Sequence, residues 1–93
     1  MERLRLVVHG MVQGVGFRAF ARREALRLGL TGWVCNRADG SVEAEAEGPP
    51  AALDGFLAAL ARGPRCAVVE RVEVSERLAM TQPAHPGFAI TGW

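Results

Sequence analysis

The sequence contains no lysine and no tyrosine. All 11 basic residues are arginine, and against 10 acidic residues they leave a formal net charge of +1. Without lysine there is no Schiff-base amine and no phosphate-loop lysine. A near-neutral balance argues against a protein whose main business is coating nucleic acid, because such domains are strongly basic. Cysteine is scarce. Cys35 and Cys66 form no C-x-x-C pair and have no histidine at a ligand spacing. That leaves zinc and redox readings unsupported and predicts two reduced thiols in a cytoplasmic protein. No apolar run approaches the ~20 residues that cross a membrane. The N-terminal stretch alternates and carries charge where a secretory leader would be apolar, so neither membrane nor secretion is expected.

What is present is the composition of a folded protein. The 93 residues are 49% hydrophobic and 23% charged, enough for one core, and residues 1–93 read as one domain. Residues 3–9 alternate, with Leu4, Leu6 and Val8 on one face and Arg5, Val7 and His9 on the other, which predicts a half-buried strand. Three glycines between Gly10 and Gly16 predict a loop. From Phe17 to Leu28 the period becomes helical, and Gly29 is placed to end the helix. Residues 30–36 predict a second strand, Arg37 to Gly40 a turn, and Val42, Ala44 and Ala46 against Glu43, Glu45 and Glu47 a third strand. Pro49 and Pro50 start a second helix carrying Leu53, Phe56, Leu57 and Leu60 on one face, closed by Gly63 and Pro64. Residues 67–76 predict a fourth strand with Val68, Val72 and Val74 on one side. The stretch from Leu78 to Gly87 is irregular, and Phe88 to Trp93 predicts a short closing strand. This order, β-α-β-β-α-β plus a C-terminal strand, predicts an α+β fold. It is a ferredoxin-like sandwich with both helices on one face of a mostly antiparallel sheet and the first strand in its centre.

In that arrangement the 10–16 loop leaves a central strand and enters a helix N-terminus. Such a terminus offers unpaired N–H groups and partial positive charge. A glycine-rich turn before it lets several N–H groups converge on an anion. Arg18, in the first helical turn, adds a planar fork suited to phosphate oxygens. Taken as spacing alone, the pattern favours the plainer reading, a tight strand-to-helix turn with a solvated arginine.

The residues themselves go further. Gly10-Met-Val-Gln-Gly-Val-Gly-Phe-Arg18 resembles the acylphosphatase signature Gly-x-Val-Gln-Gly-Val-x-Phe-Arg at every specified position. Gly32-Trp-Val-Cys-Asn36, followed by Asp39-Gly-Ser-Val-Glu43, resembles the second signature of that family. The resemblance covers almost the whole chain, and the family's fold is the ferredoxin-like sandwich. It implies hydrolysis of the carboxyl–phosphate anhydride of a small acyl phosphate to a carboxylate and inorganic phosphate. It further implies a phosphate-binding segment of Gln13, Gly14, Val15, Gly16, Phe17 and Arg18. Arg18 stands at the family's catalytic arginine and Asn36 at its catalytic asparagine, which orients the attacking water. No metal, no cofactor and no covalent intermediate are implied. A free-standing monomer is expected from the chain's length and ends, with a domain of a larger hydrogenase-maturation carbamoyltransferase as the related alternative.

The other candidates read as structural. His9 is a partly exposed strand histidine, and His85, among prolines, is given no role. Glu43, Glu45 and Glu47 point in parallel from one strand, with no His or Cys nearby to complete a metal site, and are expected to pair with Arg5 and Arg71 across the sheet. Arg22, Arg23 and Arg27 read as a solvated helix face, and Cys35 as structural, although its oxidation would disturb Asn36. Two competing functions remain. One is a domain that binds an anion or acyl phosphate without turnover. The other is an RNA-recognition module on the same fold, which lacks here the aromatic residues it needs on the first and third strands.

Overall fold

The chain's structure is a computed structural model that describes residues 1–92. Alternation sets the strands. Leu4, Leu6 and Val8 are completely buried in β1 (Glu2–Met11), whereas Arg5 and His9 stay half-exposed on its other face. α1 (Phe17–Arg27) contains no glycine or proline and buries Phe17, Ala21 and Ala25 along one stripe. α2 (Pro50–Arg62) begins on a proline whose missing N–H costs nothing at a helix start, and buries Leu53, Phe56, Ala59 and Leu60. Both stripes pack on one face of the sheet, against Leu4, Leu6, Val8, Val34, Val42, Ala44 and Ala46. Each fully buried Leu or Phe there contributes about 1.5–3 kcal/mol.

The remaining strands are β2 (Thr31–Asn36), β3 (Val42–Gly48), β4 (Val68–Ala79) and β5 (Phe88–Ile90). Their order across the sheet is β4-β1-β3-β2-β5, antiparallel except for β5, which runs parallel to β2. The ferredoxin-like sandwich is therefore as expected, with β1 inside the sheet. No helix among the described residues is long and apolar enough to cross a membrane.

Three expectations change. β4 continues to Ala79, so Leu78 belongs to a strand and not to the irregular segment. Its pairing with β1 skips Ser75 and Glu70, and these bulges reverse the side-chain alternation. Val69 thereby packs against the core with Val72, while Val68, expected on the same side as Val72 and Val74, is 57% exposed. The bulges also break the long flat edge that β4 would otherwise offer to another chain. The closing strand spans Phe88–Ile90, and Trp93, expected within it, lies outside the described residues.

β4 and β5 occupy opposite edges, so the link between them must cross the sheet. Four strand spacings amount to roughly 19 Å, within reach of the eight residues 80–87. The helices cover one face, and this strap lies across the other. There it meets the acidic side of β3.

Candidate functional site

Because β1 and β2 are each antiparallel to β3, they run the same way, and β5 runs with them. Their carboxyl ends, carrying Met11, Asn36 and Ile90, therefore meet at one end of the sheet. The loop from β1 to α1 crosses that end. Gly14 and Gly16 have φ of +74° and +78°, the left-handed region, and a Cβ on either would point into open space. Their role is thus conformational: they turn the backbone sharply and leave its surface bare. Gly16 is the N-cap of α1 and, having no side chain, makes no cap bond to the first N–H groups of the helix. The first turn carries no acidic residue to compete for an anion.

A cleft of ≈220 Å³ opens here, lined by Val12, Gly14, Gly16, Phe17, Arg18, Ala19, Asn36 and Ile90. Arg18 and Asn36, 18 positions apart in sequence, thus face one space. Asn36 carries a buried Oδ1 that accepts no hydrogen bond among the described residues. Such an atom costs stability unless something enters to bond it. Val12 and Phe17 are buried and form the floor, while Ile90 stands 44% exposed at the wall.

Gln13 and Val15 do not line the cleft. The Gln13 side chain turns away, its Nε2 donating to the Arg37 carbonyl at 2.7 Å and to the Ser41 carbonyl at 2.9 Å. It ties the glycine loop to the turn directly after Asn36. That turn is further ordered by Asp39, whose carboxylate accepts the Ser41 hydroxyl and the Ser41 N–H. These two bonds, the hydroxyl's foremost, hold the Asp39 carboxyl below its ordinary range.

The far face of the sheet differs from expectation. Glu45 and Glu47 are buried under the strap, not solvated. Glu45 does take Arg5, at 2.6 Å from Nη2, but its other oxygen meets Nε2 of His85 at 2.6 Å, so His85 has a definite place. Burial alone would push the Glu45 carboxyl up. The bonds from His85 and Arg5 outweigh it and hold the carboxyl low. Glu47 accepts the Thr31 hydroxyl at 3.0 Å, the Ala84 N–H at 3.0 Å and the His85 N–H at 3.1 Å. Arg71, expected opposite these acids, lies instead 3.9 Å from Glu73 on its own strand, and Glu73 meets His9 at 2.8 Å. Ligand-type atoms of Glu45, Glu47 and His85 fall within 4.8 Å of one another. All four carboxylate oxygens are already occupied by these donors, which makes the cluster a fastening for the strap. On α1, Arg22 is not purely solvated, since its Nε donates to the Phe88 carbonyl at 2.9 Å and holds β5 to the helix. Cys35 and Cys66 are free thiols, half-buried and exposed respectively.

The sequence reading missed Val12, Ala19 and Ile90 as cleft residues. Ile90 was legible in principle: the Phe88/Ile90 alternation puts both on the helix face, and a parallel pairing with β2 carries Ile90 to the same end as Asn36.

Known proteins point the same way as this geometry. The sequence profile of the acylphosphatase family matches residues 4–90. An acylphosphatase of Thermus thermophilus is 58% identical over 74 residues, covering 80% of this chain and 84% of its own length. One from Azorhizobium caulinodans is 49% identical over 87 residues, covering 94% and 91%. The crystal structure of acylphosphatase from Bacillus subtilis superposes with a TM-score of 0.92 at 41% identity, covering 99% of this chain and all of the other.

Proposed function

Since the chain belongs to the acylphosphatase family and is a hydrolase of acid anhydrides, we propose that the cleft between the glycine loop and Asn36 is where an acyl phosphate is cleaved. The phosphoryl group rests on the N–H groups from Gly14 to Arg18, with the backbone of Gln13 leading into the cradle. Arg18 spans two of its oxygens. Asn36 Oδ1 accepts a hydrogen from a water and aims its lone pair at phosphorus. As the water oxygen bonds to phosphorus, the bond to the bridging oxygen breaks and that oxygen leaves with the carboxylate. The water's proton passes to a phosphate oxygen.

The chemistry asks for little more. A carboxylate leaves without acid assistance, so catalysis reduces to positioning and to stabilising charge on the equatorial oxygens. N–H dipoles and one guanidinium supply the charge. A neutral amide supplies the orientation, and it is too weak a base to do otherwise. The observation that carries this reading is the buried Asn36 Oδ1, which accepts no hydrogen bond among the described residues and lines the same cleft as Arg18 and a helix start capped by glycine.

The test is phosphate release from benzoyl phosphate by wild type, Arg18→Ala and Asn36→Ala, with chelator present. Each variant is expected to lose at least about 10²–10³ in kcat, the usual cost of removing a charge-stabilising or orienting group. Undiminished turnover by Arg18→Ala would sink the assignment. A wild type that binds phosphate but releases none from the anhydride would leave a binding domain.

A further inference from the structure

The mechanism accounts for the phosphoryl end of the substrate and leaves part of the cleft unused. Its ≈220 Å³ is roughly seven times the ~30 Å³ share of one liquid water, more than a phosphoryl group and its bridging oxygen fill. The polar groups are those of the glycine loop, Arg18 and Asn36, and the rest of the lining, Val12, Phe17, Ala19 and Ile90, is apolar. Among the large hydrophobic side chains left exposed in the described structure are Met1, Met11, Leu26, Val68, Val74, Leu78 and Ile90, and of these only Ile90 lines the cleft. Ala19, an exposed residue of the first turn of α1, lines the same cleft. Ile90 is also firmly seated. β5 is hydrogen-bonded to β2 with Ile90 opposite the buried Val34, and Phe88 two residues earlier is buried against Phe56. Arg22 clasps the β5 backbone from α1.

We propose that Ile90, with Ala19, forms the subsite for the acyl group and makes the protein selective for acyl phosphates with aromatic or extended aliphatic acyl chains. The proposal rests on the reading of the cleft given above. An acetyl group offers the wall a single methyl, whereas a phenyl ring or longer chain lays apolar surface along it and removes both from water. A second anionic group on the substrate finds no further cation there, because among the described residues Arg18 is the only charged one lining the cleft. Arg22, one turn further along α1, lies outside it.

Two measurements test this. The first compares kcat/KM of wild type, Ile90→Ser and Ile90→Val for benzoyl and acetyl phosphate. Ile90→Ser is expected to lose about tenfold on benzoyl phosphate, the low end of what a hydrophobic contact gives in discrimination, and no more than about twofold on acetyl phosphate, with Ile90→Val between it and wild type. The second is calorimetric binding of phenacylphosphonate and acetonylphosphonate, in which a methylene replaces the bridging oxygen and no turnover is possible. The same variant is expected to weaken the phenacyl compound selectively. Equal losses on both members of either pair, or no loss, would overturn the subsite. A wild type that turns over neither phosphate would refute the hydrolase reading alone, and the phosphonate affinities would still decide the role of Ile90.

Discussion

Glu47 carries the strap that joins the two edges of the sheet, and its removal makes a quantitative prediction. The side chain is 1% exposed and accepts three donors, the Thr31 hydroxyl and the N–H groups of Ala84 and His85. Hydrogen bonds to a charged acceptor are each worth about 1.5–3 kcal/mol net, so the gross sum is roughly 4.5–9 kcal/mol. Two effects reduce it. Burying a carboxylate costs several kcal/mol, and Ala84 lies in an exposed segment where water can take over its N–H. Glu47→Ala is therefore expected to cost about 2–3 kcal/mol. With a urea m-value of about 1.5 kcal/mol/M, the unfolding midpoint falls by about 1.3–2 M. Glu47→Gln keeps one acceptor but turns an NH2 toward the strap's donors, and lies between. Glu43→Ala, on the same face but holding no strap residue, moves the midpoint by the equivalent of about 0.5 kcal/mol or less. The assay is urea unfolding followed by tryptophan fluorescence, with m fitted for each variant. A Glu47→Ala midpoint within about 0.3 M of wild type would refute the claim that this carboxylate fastens the strap.

Two further outcomes follow from the geometry. Gln13→Ala removes both bonds to the turn after Asn36, and is expected to lower kcat roughly tenfold through misplacement of the amide proposed to orient the water. A purely structural role would predict that Gln13→Glu, which cannot donate to the two carbonyls, is no worse than wild type once folded, and measured kcat on folded protein decides. Glu45 is held low in the folded state by His85 and Arg5 against its burial. Its ionised form therefore contributes stability at pH above the ordinary carboxyl range, and that contribution disappears as pH falls through the folded-state pKa. The stability gap between wild type and Glu45→Gln, read from urea midpoints between about pH 7 and pH 3, should narrow on acidification. A gap that stays constant or widens would contradict the pairing.

The elements legible in the sequence were those with a local period. Leu4, Leu6 and Val8, the Phe17/Ala21/Ala25 stripe and the Leu53/Phe56/Leu60 stripe each state their own burial within one element, and they suffice to give the fold. The loop was legible because glycine at 14 and 16 and arginine at 18 constrain backbone and charge together. β4 was misread because a bulge inserts a residue without altering composition, so Val68 and Val69 exchange faces with nothing in the local pattern to show it. The acidic side of β3 was misread for a different reason. Alternation assigns Glu45 and Glu47 to the polar face correctly, but whether that face meets water depends on a segment about 40 residues later, whose prolines give it no period. The strand order contained the signal, since a fourth strand at one edge and a last strand at the other require a crossing.

That crossing has a consequence for how the molecule is assembled in time. The glycine loop, Arg18 and Asn36 belong to the first half of the chain, where they lie on or between β1, α1 and β2. The wall that carries Ile90 depends on β5, whose carbonyl at Phe88 is clasped by an arginine 66 positions earlier. Closing so long a loop costs entropy before any contact repays it, which makes such pairings late events. The end of the sheet where Arg18 and Asn36 meet is thus built in two stages. The glycine loop and Asn36 lie in the first half of the chain, and the wall that carries Ile90 arrives with the final strand, once the strap has been drawn across the sheet onto Glu45 and Glu47.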